Sequence, residues 1–156
     1  MAAVDIVDTG SPYVVSRSMV IDAPAERIFD LLADPRRHAD FDGSGSVKGS
    51  ISGPARLSLG AKFGMEMKLL VPYRISSQVK EFDEGRRIAW AHLGGHRWRY
   101  ELEPLPDGGT RVTETFDATT ARSARALKLM DAYGRNARAI EETLPRLKAL
   151  AESEGP

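Results

Sequence analysis

The sequence predicts an α+β domain, with an antiparallel sheet of about seven strands covered by one long C-terminal helix. Three observations carry this. Residues 47 to 117 alternate apolar and polar side chains in runs separated by turn residues, the period of half-buried strands joined by hairpins. From about residue 120 to 152 the apolar residues recur at steps of three and four: Leu127, Met130, Tyr133, Ala137, Ile140, Leu144 and Leu147. That spacing is one face of a helix. Hairpin-linked strands pair antiparallel, and their alternation gives one buried and one wet face. The terminal helix is the cover for the buried face.

The elements follow in order. Residues 1–12 lack a period and read as a flexible tail; the domain spans 13–153. "YVVSRSMVID" alternates and predicts the first strand. Asp22 is placed to cap a helix over "APAERIFDLLAD", with Pro24 early, Glu26 in the first turn, and Ile28, Leu31 and Leu32 as the apolar stripe. Asp34-Pro35 ends that helix, and "PRRHADF" predicts a second short one capped by Asp34, with His38 exposed. "DEG" and "PDGGT" mark hairpin turns, and "LGG" between His92 and His96 marks another. In the terminal helix Pro145 cannot donate to Glu141, which predicts a kink or break there, and Gly134 costs up to ~1 kcal/mol.

The stretch "DFDGSGSVKGS" has the composition of a phosphate loop. It lacks the Gly-Lys-Ser/Thr that closes a Walker loop, and it follows a helix and precedes a strand, the reverse of that motif. It reads as a turn into the sheet, able to rim a cavity mouth.

Composition narrows the function classes. The 156 residues contain 22 Lys+Arg, 22 Asp+Glu and no cysteine. Thiol catalysis and cysteine-based metal sites are excluded. Zero net charge gives no general pull toward nucleic acid or an anionic membrane, though it leaves room for a local patch. No run approaches the ~18 apolar residues of a membrane span, and the N-terminus has no positive n-region. A cytoplasmic protein, monomer or homodimer, without cofactor, nucleic acid or integral membrane association, is the expectation.

Three stretches, "VIDAPAERIFDLLADPRRHADFDGS", "RRIAW" and "YELEPLPDGGTRVTETFD", resemble the START-like, helix-grip superfamily, also labelled SRPBCC. That group includes birch-pollen-allergen-like, polyketide cyclase/dehydrase-like and coenzyme-Q-binding proteins. The resemblance runs from about Tyr13 to Glu152. It implies a sheet that curls around the long helix and leaves a hydrophobic pocket between them. The polyketide cyclase-like enzymes of the group place polar residues inside that cavity, but no such set maps onto this sequence, so no catalytic residue is carried over.

If the strand registers hold, Phe63, Met65, Met67, Leu69, Trp90, Trp98, Tyr100, Met130 and Tyr133 point into the space between sheet and helix. Methionine adapts to irregular pockets, and Trp and Tyr join an apolar body to a polar handle. Glu114 shares the inward parity with Val112 and Phe116, so it is paired, hydrogen-bonded or protonated there. It is a candidate to orient a ligand or act as a base, against a structural ion pair with an arginine or a bulge that turns it outward. His92, Tyr100 and Tyr133 are the other acid–base candidates. His92 and His96 flank a turn without a third ligand, so no metal site is expected. Arg86, Arg87, Arg97 and Arg99 interleave with Glu81, Glu101 and Glu103, as cross-strand ion pairs on the wet face do.

Three functions fit. The first is binding or transport of a small hydrophobic molecule of lipid, polyketide or isoprenoid type. The second is a polyketide cyclase/dehydratase-type enzyme. The third is a protein-interaction module resembling the Hsp90-activator branch, which would show an exposed apolar patch in place of a cavity.

Overall fold

A computed structural model describes residues 4–68 and 70–153, without the side chains of Ser50 and Ile51. Eight strands form one antiparallel sheet in the order β1-β2-β8-β7-β6-β5-β4-β3. They are β1 (Asp5–Val7), β2 (Val14–Ile21), β3 (Val47–Ser52), β4 (Lys62–Lys68), β5 (Pro72–Asp83), β6 (Arg87–Ala91), β7 (Arg97–Pro104) and β8 (Thr110–Asp117). The helices are α1 (Ala25–Ala33), α2 (His38–Phe41) after a 3-10 turn over Pro35–Arg37, α3 (Ala124–Leu129) and α4 (Ala132–Ser153). After β2 the chain crosses through α1 and α2 to the far edge. It then meanders back strand by strand until β8 pairs with β2. This is the α+β helix-grip architecture, with one strand beyond the seven expected. The extra strand is β1, which lies inside the stretch read as a tail and pairs with Ser16–Ser18 of β2.

Local chemistry explains the joints. Gly85 takes φ +76° in the β5–β6 turn, where the Arg86 N–H donates to the Asp83 carbonyl at 2.9 Å. Asp34 caps the turn that begins at Pro35 by accepting from the Arg36 N–H. Asp22 does not cap α1. The helix starts three residues later with Pro24 at the N-cap, and the Asp22 N–H instead donates to the Glu152 carboxylate at 2.8 Å, tying the end of β2 to the end of α4.

The apolar stripe of α1 is fully buried, as its spacing predicts: Ile28, Phe29, Leu31 and Leu32 meet Ile140, Leu144 and Leu147 of α4 in one core with Ile21, Val112 and Phe116 of the sheet. On the outer face, Glu81, Ala89 and Arg99 lie in one cross-strand row. The small Ala89 lets Arg99 reach over β6 to Glu81 with two bonds of 2.9 and 2.7 Å. Arg97 joins Glu81 at 2.8 Å, and Arg99 also reaches Asp117 at 3.1 Å. Those guanidinium bonds, Arg99 first, hold the Glu81 carboxyl down at about 2.

The terminal helix departs from expectation. It runs unbroken through Pro145, and the interruption falls at Asp131, a non-glycine residue at φ +54°. Aspartate tolerates that conformation better than most residues. Gly134 makes room for it: a Cβ there would sit 2.8 Å from Asp131 Oδ1. The break turns α3 away from the α4 axis, and α3 contributes no buried residue.

Candidate functional site

Period-two spacing builds the floor of a cavity. Phe63, Met65 and Met67 come from β4, Ile75 and Ser77 from β5, Trp90 from β6, Trp98 and Tyr100 from β7, and Glu114 from β8. His38 and Phe41 of α2, Asp42 and Ser44 of the following turn, and Ala139 and Thr143 of α4 close it. The enclosed volume is about 130 Å³.

Gly43 fixes how closely the turn approaches the helix. A Cβ at this position would lie 2.5 Å from the Thr143 nitrogen and 2.7 Å from the Ala139 carbonyl. Its N–H donates to Thr143 Oγ1 at 2.8 Å. The glycine- and serine-rich stretch is thus a turn that seals one wall of the cavity. Asp42 Oδ2 accepts from the Ser44 hydroxyl at 2.7 Å and holds the turn in shape.

Aromatic rings form most of the wall. His38 stacks on Trp90 with centroids 4.7 Å apart and planes 19° apart. Phe63 stands edge-on to both, at 5.6 and 5.7 Å. Trp90 meets Tyr100 at 5.7 Å, and Phe41 meets Tyr100 at 6.4 Å. His38 is buried, not exposed as its charged neighbours suggest. Its Nε2 donates to the Leu32 carbonyl at 2.9 Å, and burial pushes its pKa down to about 4, so the ring is neutral.

Two polar groups converge inside. Tyr100 and Glu114 are direct cross-strand partners, and the Tyr100 hydroxyl donates to Glu114 Oε2 at 2.9 Å. Glu114 Oε1 is buried and has no partner among the described residues. The expected alternatives do not occur. Arg17 lies opposite Glu114 in register but turns its guanidinium to Glu141 of α4 at 2.9 Å, and β8 carries no bulge that would turn Glu114 outward. Burial pushes the Glu114 carboxyl well above the usual carboxylate range, and the charge of Asp42 adds to the shift. Glu114 therefore holds its proton more firmly than an exposed carboxyl does. When it is protonated, Oε2 is engaged by Tyr100 and Oε1 is the oxygen left to bond a ligand.

The other sequence-predicted residues separate into two groups. His92 lines the cavity beside Trp98, half-buried, with its pKa lowered by burial. It meets His96 edge-to-face at 4.6 Å. No group of three or more potential metal ligands occurs among the described residues. Tyr133 stays outside the cavity. Its hydroxyl donates to the Ala124 carbonyl at 3.0 Å, and its ring packs on Phe116 and Tyr13. Met130 is 60% exposed, because it sits at the break before Asp131, where the helix does not continue. Leu69 lies outside the described residues. Sequence reasoning missed His38, Phe41 and Thr143. The i, i+3 spacing of His38 and Phe41 was the available signal.

An apolar cavity between a meandering sheet and a long helix, with one buried acid in its wall, defines the START-like ligand-cavity class. The match extends to family level: residues 13–152 match the family described as polyketide cyclase/dehydrase and lipid transport, and the chain belongs to it. The uncharacterised protein Rv0088 of Mycobacterium tuberculosis is 47% identical over 152 residues, which cover 94% of this chain and 67% of that protein. Among solved structures, protein Ms6760 of Mycobacterium smegmatis superposes with a TM-score of 0.72 at 20% identity, covering 99% of each chain. A protein from Arthrobacter aurescens gives 0.73 at 16% identity, over 96% of this chain and 91% of that one. The AHSA1-like protein of Aeromonas hydrophila gives 0.60 at 19% identity, over 90% and 94%. These structural likenesses establish the fold.

Proposed function

We propose that the chain binds a small, mainly apolar molecule bearing one polar oxygen, and carries it without converting it. One observation supports this above the rest. Glu114 is a buried carboxyl on the wall of an aromatic cavity, with one oxygen held by Tyr100 and the other unpartnered among the described residues. An unsatisfied buried polar atom costs about 1–3 kcal/mol. A ligand carbonyl or hydroxyl oxygen at Oε1 removes that cost, while the rings desolvate and stack on the remainder. A volume of about 130 Å³ is close to that of a cavity of ~150 Å³ able to take up benzene. The enclosed space therefore holds one ring or one end of a chain. The rest of a polyketide-, isoprenoid- or lipid-like molecule lies in the groove outside, which shares Met67, His92 and Trp98 with the cavity.

Mass spectrometry of freshly purified protein, native against denaturing, tests this. A mass excess that disappears on denaturation is expected. Glu114→Leu should then weaken rebinding about tenfold, the worth of one buried hydrogen bond. If no apolar ligand co-purifies and none raises Tm, the carrier reading is overturned.

The Tyr100–Glu114 contact favours one second reading, a dehydratase-type enzyme in which Glu114 gives its proton to a hydroxyl that leaves as water, and the resulting carboxylate takes the proton from the neighbouring carbon as the double bond forms. Glu114→Gln separates the two. The amide still donates a hydrogen bond, so a carrier keeps its ligand, whereas the enzyme has no proton to give and loses turnover.

A further inference from the structure

The strand order brings the β4–β5 tip, the β6–β7 turn and the β8–α3–α4 connection to one end of the sheet. The groove outside the cavity opens at this same end, between Met67, His92 and Trp98 on the sheet and Met130, Arg135 and Arg138 on the helical side. Apolar side chains are exposed there without serving any core. Leu70 is 97% exposed, Leu129 90% and Leu93 81%, with Val71 and Met130 beside them in sequence. Away from this end, Ile6 and Leu59 are the other strongly exposed large aliphatics among the described residues.

Charge is concentrated at the same end. Residues 68–74 contribute Lys68 and Arg74 and no acid. Residues 118–138 contribute Arg122, Arg125, Lys128, Arg135 and Arg138 against Asp131 alone. These two segments hold seven cations against one acid, an excess that the rest of the chain offsets, because acids and cations balance at 22 each; the acids near them are Asp8 in the β1–β2 turn and Glu142, which lines the groove.

We propose that this end docks on an anionic lipid bilayer, with the cavity mouth facing the membrane. Apolar groups on separate tips, two of the three with cations close by in the chain, match an interfacial anchor. The apolar groups enter the acyl boundary, and the long basic side chains stay at the headgroups. Lys68 and Arg74 bracket Leu70 and Val71 in this way, and Lys128 precedes Leu129. Exchange of an apolar cargo through that mouth rests on the proposed carrier function; the docking does not.

The test is co-sedimentation with phosphatidylglycerol vesicles and with phosphatidylcholine vesicles, at low and high salt. The expected result is binding to phosphatidylglycerol that high salt releases, and little binding to phosphatidylcholine. Arg125→Ala with Lys128→Ala should weaken binding about 30-fold, from the loss of two headgroup cations. Leu93→Ser with Leu129→Ser should weaken it about tenfold or more. All four side chains are exposed, so the fold is kept. Absence of binding to phosphatidylglycerol, equal binding to both lipids, or indifference to either double variant overturns the proposal. So does a soluble protein partner that needs these residues while vesicles are ignored. Glu114→Leu should leave vesicle binding unchanged while weakening cargo binding, so docking and carrying fail separately.

Discussion

Two buried ionisable residues give the protein stability limits on opposite sides of neutrality. His38 has its folded pKa lowered from the usual 6.5 to about 4 by burial. Between those values the unfolded chain binds the extra proton, so the stability His38 contributes is whole above pH 6.5 and is lost as the pH falls through about 4. It is worth about 3 kcal/mol. Urea unfolding between pH 4 and 7 should show this slope, and His38→Phe, which keeps a ring against Trp90, should flatten it. Glu114 acts in the other direction. Its folded pKa is raised, so the native state keeps a proton that the unfolded chain releases above its usual 4.5. That contribution is whole at low pH and declines as the pH rises. Glu114→Gln should match the native protein near pH 4 and exceed its stability at pH 8. Glu114 was legible in the sequence because strand parity alone turns it inward. His38 was not, because Arg36, Arg37 and Asp40 around it make a short helix look solvated. Its burial depends on where α2 meets β4 and β6, which is set by tertiary packing.

The strands from β2 onward and α1 were legible because each keeps its period against a single partner surface, whereas β1, three residues long, is too short to show one. The turns were legible because glycine marks them. The terminal helix was legible in type but not in continuity. Its apolar steps of three and four continue across Met130 and Asp131, and nothing local demands φ +54° at an aspartate. Pro145 was the visible breaker, yet α4 passes it, because Ile140, Leu144 and Leu147 on either side are fully buried and hold the helix in place. The turn before β3 offers a sharper test of packing between elements. Gly43→Ala places a methyl group against the backbone of α4, which cannot rotate away. The variant should lose about 1–3 kcal/mol, the usual cost of overpacking, in denaturant unfolding. It should also weaken cargo binding, because the displaced turn opens the cavity wall.

For the whole molecule, order should fall off toward the cavity mouth. The far side of the core holds the fully buried apolar faces of α1 and of the second half of α4, while α3 has no fully buried residue and rests on the core only through Ala124 and Leu127. Segments with few buried contacts open locally at low cost. Amide hydrogen exchange should therefore be fast across Ala124–Leu129 and slow from Ile140 to Leu147. Addition of a tightly bound cargo should slow exchange in Asp42–Val47 and at the start of α4 more than in α1. Equal protection of α3 and the second half of α4 would show that the mouth is as rigid as the core.

The chain contains two tryptophans, and both Trp90 and Trp98 line the cavity. Every indole photon therefore originates at the site. Emission wavelength and quenching by acrylamide, excited at the indole red edge, both report on that space. A titration can be followed on the unmodified chain, and an aromatic or conjugated cargo would accept energy from both indoles at once.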